Sequence, residues 1–333
     1  MNPETLIASV LLAALVLYTL GGGADFGGGV WDLFAFGRTG ARQRDVIAHA
    51  LGPIWEANHV WLILVIVLLF VCFPAAFAAL STALHVPLTV MLIGIVLRGS
   101  AFTFRTYDRS DHDVQRRWSR VFAIASVVTP LMLGVCVGAV LSGRIGVDMA
   151  SGRVTGGFFA PWLAPFPFAV GLFALSLCAF LAATYLTVEA TEQDVRRAFR
   201  ARALVSAVAT GVLAWTCFAL ARTGAPVMHE GLSGRDGSLV FQIVTGSVAV
   251  GAIAALWTEH YALARALAIA QVTLIICGWG IAQYPMLIPP DVSIANAPDN
   301  VLRAVLTVLA VGAVVLLPSL AYLYRIFKLQ PGR

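Results

Sequence analysis

Nine continuous apolar runs, each about twenty residues long, limit what this chain can fold into. Hydrocarbon offers no partner for a backbone N–H or C=O, so unbroken apolar runs of this length read as transmembrane helices. They fall near residues 4–23, 57–79, 83–104, 119–141, 164–188, 202–221, 239–257, 262–283 and 301–325. A membrane β-barrel would instead show shorter segments of alternating polarity. Charged residues make up 12% of the chain, about half the share a water-facing surface carries. The expected fold is therefore all-α and polytopic. Residues 1–333 are expected to form a single integral membrane domain, arranged as two four-helix bundles plus one additional helix.

Positive charge sets the orientation. The first, third, fifth and seventh connections and the C-terminus hold sixteen arginines and lysines, the opposite side holds five, and Arg98 lies inside a run. The positive-inside rule puts the N-terminus outside and the C-terminus in the cytoplasm. The N-terminal run lacks the basic flank and small-residue cleavage site of a signal peptide, so it is expected to remain as the first span. Arginines confined to the connections explain the net charge of +5 without nucleic acid. No Walker motif, dinucleotide fingerprint or nucleophile elbow occurs. All five cysteines fall in apolar runs and read as buried, reduced side chains. Pro74, Pro130 and Pro318 interrupt runs and are expected to kink them.

Against this background "GGGADFGGGVWD" stands out, with six glycines around Asp25 at the end of the first run. Glu56 opens the second, in "GPIWEANHVWLI", and Arg98 sits in "MLIGIVLRGSAF" on the third. Counting about 1.5 Å per helical residue places all three in the cytoplasmic half. Asp25 and Glu56 fit either a solvated headgroup position or a polar passage entering from the cytoplasm. Arg98 is apolar on both flanks, so it is expected to face the bundle interior and find a carboxylate or carbonyls. His59 lies one turn from Glu56 on the same helix face. Trp55 and Trp61 bracket this pair, with Asn58 between them, and fit interfacial anchoring or a contact for a partner or quinone. The six histidines are scattered and form no bis-histidine haem pattern; no metal site is expected.

"GGGADFGGGVWDLF", "IAHALGPIWEANHVWLI", "LRGSAFTFR" and "YPMLIPP", in this order, resemble subunit II of the cytochrome bd-type quinol oxidases over essentially the whole chain. "WEANHVWLI" is the most specific piece, and its Glu56 and His59 are similar to the cyanide-insensitive branch. The connection near residues 222–238 is short beside some relatives.

The resemblance implies a bacterial cytoplasmic-membrane enzyme that oxidises quinol, reduces dioxygen to water and takes its protons from the cytoplasm. It implies a haem-bearing subunit I as partner, holding haems b and d, and a subunit II without haem ligands of its own. It leaves open a structural quinone in this chain and a small single-span accessory subunit. On the matching positions, Glu56, Asp25 and His59 are expected on the proton path, with Arg98 as the polar pairing group within the membrane. The glycines are then expected to let the chain bend around Asp25 and let backbones approach closely. The alternative from another class is a secondary transporter of a small solute or ion, for which a glycine-broken helix and intramembrane charges are also suited.

Overall fold

A computed structural model describes residues 2–51, 55–107, 112–148, 151–234 and 237–329. The side chains of Trp55 and Glu56 lie outside the described residues. Among the described residues, the regular structure is helical apart from two short hairpins. In order come α1 (Pro3–Leu33), α2 (Gly40–Leu51), α3 (Trp55–Cys72), α4 (Pro74–Ala83), α5 (His85–Tyr107) and α6 (His112–Leu141). Hairpin β1 (Gly146–Asp148) with β2 (Arg153–Thr155) leads to α7 (Pro165–Glu189), α8 (Gln193–Gly224) and α9 (Pro226–Ser233). Then follow α10 (Ser238–Trp257), α11 (Tyr261–Gln283), hairpin β3 (Met286–Ile288) with β4 (Val292–Ser293), and α12 (Asp299–Leu329). Among the described residues, eight helices are long and apolar enough to cross a membrane, or up to nine when α3 and α4 are taken as one span.

One expectation is met at Pro74 and another, at the glycines, needs correction. The kink expected at Pro74 is present and sharp: the chain turns by 117° between α3 and α4, so the second run is two helices. Pro74 lacks an N–H and disfavours helical backbone at Phe73, which adopts φ −131° and ψ 59°. The 18 residues of α3 still rise about 27 Å, close to the hydrocarbon thickness of about 30 Å. Conversely, α1 does not break at its glycines: it is helical for 31 residues, straight through Asp25. Glycine costs about 1 kcal/mol against alanine in a helix, whereas each unsatisfied backbone group in hydrocarbon costs several. Pro130 and Pro318 lie inside α6 and α12, and both helices continue past them.

The connections sort onto two ends, as an up-and-down path requires. At one end Arg42 pairs with Glu192 and, at 2.8 Å, with Asp194; the Glu192 hydrogen bond holds the Arg42 pKa above its usual value. Arg200 meets Glu259 at 2.8 Å, Arg265 meets Glu189 at 3.4 Å, and Arg202 donates to the Phe34 carbonyl at 2.7 Å. This is the arginine-rich end. Exposed pairs of this kind contribute about 0–1 kcal/mol each, so their use here is to hold three connections in register. At the other end the Val147 amide donates to Asp291 at 2.8 Å, joining the two hairpins. Ile145, Trp162, Ile288 and Val292 pack there with Ile7 and Leu302. The α12 helix is peripheral: none of its membrane-length window is buried.

Candidate functional site: a buried ion pair between three spans

The site forms where α1, α3, α5 and α6 come together. Asp25 on α1 and Arg98 on α5 are 2% and 3% exposed. Arg98 Nη1 donates to Asp25 Oδ2 at 2.7 Å and Nη2 to Oδ1 at 2.6 Å, a two-pronged fork. Nη2 also reaches the Asp25 carbonyl at 3.2 Å, and Nε donates to Ser126 Oγ on α6 at 3.1 Å. The guanidinium carbon also lies over the Phe26 and Phe122 rings, 4.9 Å from each centroid. Paired charges with filled hydrogen-bonding directions and aromatic faces are the arrangement in which buried ions are tolerated.

The glycines make this approach possible. A Cβ on Gly27 would lie 1.9 Å from the Cys178 carbonyl oxygen, so α1 and α7 touch backbone to backbone. A Cβ on Gly29 would lie 2.1 Å from Ser126 Oγ, the atom that holds Arg98. Small residues that let membrane helices close up are a general packing device. Gly29→Ala is expected to push Ser126 off the guanidinium and to cost about 1–3 kcal/mol. A lowered yield of folded protein in mild detergent, with a lower unfolding midpoint, checks it.

Around the pair lie further buried polar groups. The His59 ring on α3 is 6.1 Å from the Tyr18 ring and 6.5 Å from Phe26. Asn58 is 5% exposed and packs on Gly21, where a Cβ would meet its Oδ1 at 2.4 Å. Tyr18 Oη, Asn58 Oδ1 and Thr129 Oγ1 have no hydrogen-bond partner among the described residues. Buried groups of this type are normally satisfied by internal water. Asp25, His59 and Arg98 thus share one neighbourhood, while Trp61 is half-buried against the cluster at the hairpin end. Tyr18, Ser126 and the two phenyl rings were not singled out from sequence; lone polar or aromatic residues in apolar helices carry no signal there.

A cavity of about 370 Å³ adjoins the site, lined by residues of α1, α6, α7, α8, α9, α10 and α11. Tyr18, Phe173, Phe218, Met228, Phe241 and Trp279 are among its walls; Asn58 and Trp61 are not. Trp279 Nε1, like Tyr18 Oη, has no partner among the described residues. No group of three or more histidine, cysteine or acidic side chains converges to hold a metal ion among the described residues. His85 rests on Phe158 and His229 on Phe218, each in its own surroundings.

Fold and site define a polytopic helical membrane protein with a polar centre buried between its first spans. Over residues 3–327 the chain matches the family described as cytochrome bd terminal oxidase subunit II, and it belongs to that family. It is 30% identical to the cytochrome bd-I ubiquinol oxidase subunit 2 of Escherichia coli (strain K12) over 68% of this chain and 56% of that one. A Bacillus subtilis (strain 168) chain, provisionally assigned as cytochrome bd menaquinol oxidase subunit II, is 23% identical over 98% of this chain and 96% of that one. The structure of bd oxidase from Geobacillus thermodenitrificans superposes with a TM-score of 0.76 at 20% identity, covering 99% of this chain and 100% of that one, a likeness of fold. The chain is thus an integral membrane subunit of an oxidoreductase complex. The transporter alternative has no support from these likenesses.

Proposed function

We propose that this chain is the non-haem subunit of a bacterial cytoplasmic-membrane quinol oxidase, and that it borders the path delivering cytoplasmic protons for reduction of dioxygen to water. The observation that carries the reading is the buried polar cluster of Asp25, His59, Arg98 and Ser126 in a family of terminal oxidase subunits. Glu56, one helical turn before His59 on α3, stands at the entrance and exchanges protons with bulk water. His59 continues the route inward, and the Asp25–Arg98 pair borders it. A haem-bearing subunit I is the partner, with haems b and d and the quinol-oxidising chemistry on its side.

The apolar cavity is the fitting place for a structural quinone. Its volume of about 370 Å³ falls in the usual range of ligand pockets, and Tyr18 and Trp279 supply O–H and N–H donors at its walls. The isoprenoid tail would lie against the phenylalanines, and a ring carbonyl would accept from one of the donors. A small single-span subunit and bound lipid complete the proposed surroundings.

Purification in mild detergent tests the assignment. The chain is expected to bring down a larger membrane partner whose reduced-minus-oxidised spectrum shows haem bands, and the preparation should consume oxygen when given quinol. A colourless, monodisperse homomer that moves a solute across liposomes would contradict it.

A further inference from the structure

We propose that Asp25 serves as the fixed counter-ion of Arg98 rather than as a proton carrier, and that Ser126 is the residue that positions the guanidinium. The proposal deepens the reading of this cluster as the border of a proton path and rests on it.

A carboxylate that relays protons must alternate between charged and neutral forms. Both Asp25 oxygens are engaged by Arg98, at 2.6 and 2.7 Å, and its carbonyl accepts a third N–H at 3.2 Å. Protonating Asp25 would break the fork and leave a bare guanidinium in a site where both side chains are less than 5% exposed. An unpaired charge of that kind is strongly disfavoured. Arg98 is committed in place: its Nε donates to Ser126 and its guanidinium carbon lies over the Phe26 and Phe122 rings. Ser126 cannot swing freely either, since its own hydroxyl donates to the Phe122 carbonyl at 2.7 Å and Gly29 closes over it. One ion pair and one serine therefore lock α1, α5 and α6 together, and the charge they enclose stays balanced through turnover.

The two roles separate in a pair of variants of the whole complex. Asp25→Asn leaves Arg98 buried without its counter-ion, and haem-bearing complex is expected to fall about tenfold or more. Asp25→Asn combined with Arg98→Gln keeps a hydrogen-bonded pair without charge, and assembly should return to within about threefold of the parent, with turnover per haem in the same range. Ser126→Ala alone, which removes one acceptor, should lower assembly by about threefold. The proposal is overturned if the double variant fails to assemble, or assembles with turnover per haem reduced tenfold or more. Glu56→Gln, measured in the same preparation, tests the proton path separately. Should that variant turn over normally, the path reading fails while the assembly comparison still decides what Asp25 does.

Discussion

Arg98→Leu is expected to abolish accumulation of the assembled complex. The substitution matches the apolar flanks of "MLIGIVLRGSAF" and would raise the hydropathy of α5, so a count of membrane-span quality alone predicts improvement. The structure predicts the opposite. Asp25 would be left at 2% exposure with neither oxygen bonded to a cation, and Ser126 would lose the N–H it accepts. Removing one partner of a buried pair costs about 3–5 kcal/mol, about two to nearly four orders of magnitude in the folding equilibrium. Arg98→Lys retains the charge but not the fork, the Nε bond or the planar stacking on Phe26 and Phe122, so it should rescue only in part. Haem-bearing complex per cell, quantified by its absorbance, reads both outcomes.

A second large loss is expected from Gly27→Leu. At this position the α1 backbone lies against the Cys178 carbonyl, and even a methyl group would sit 2.7 Å from the Ala182 Cβ. No side-chain rearrangement relieves a collision with backbone, so α1 would have to separate from α7. Overpacking ordinarily costs about 1–3 kcal/mol; a backbone collision at a helix crossing should exceed the upper end. Gly37→Ala, in the connection that follows α1, is a control for glycine substitution, with no atom near its Cβ but φ at +78°, and it should cost only the strain of a left-handed residue, about 1 kcal/mol. Loss of folded protein for Gly37→Ala comparable to Gly27→Leu would show that contact at the α1–α7 crossing is not what the glycine protects.

Much of this architecture is legible in the sequence because hydrocarbon leaves so few options. Apolar run lengths mark the helices, and the arginines mark which connections share an end; Arg42, Arg200 and Arg265 do meet acids from neighbouring connections there. Pro74 marks the kink, but its size of 117° was not legible, because hydropathy records composition and not direction, and residues 74–83 are as apolar as a straight continuation would be. The glycines of α1 misled in a more instructive way. Their low helix propensity suggests a bend, but in a membrane the need to satisfy every backbone group outweighs propensity, and what the glycines supply is room. Arg98 announces from its flanks that it needs an interior partner. Which acid answers depends on the crossing of α1 with α5, and Ser126 carries no sequence signal at all.

The central claim is that this subunit takes part in delivering protons, and Glu56 is where it is most exposed to refutation. Glu56→Gln keeps the size and most of the hydrogen-bonding capacity of the side chain and removes the group that titrates. Glu56→Asp keeps an acid and shortens its reach. Oxygen consumption per haem with saturating quinol, compared across the parent and these two variants at equal haem content, is the decisive measurement. Normal assembly is expected for both, with turnover lowered about tenfold or more in Glu56→Gln, the range in which a missing proton-transfer group is felt, and partial retention in Glu56→Asp. Parental turnover in Glu56→Gln would contradict the claim and place proton entry elsewhere in the complex.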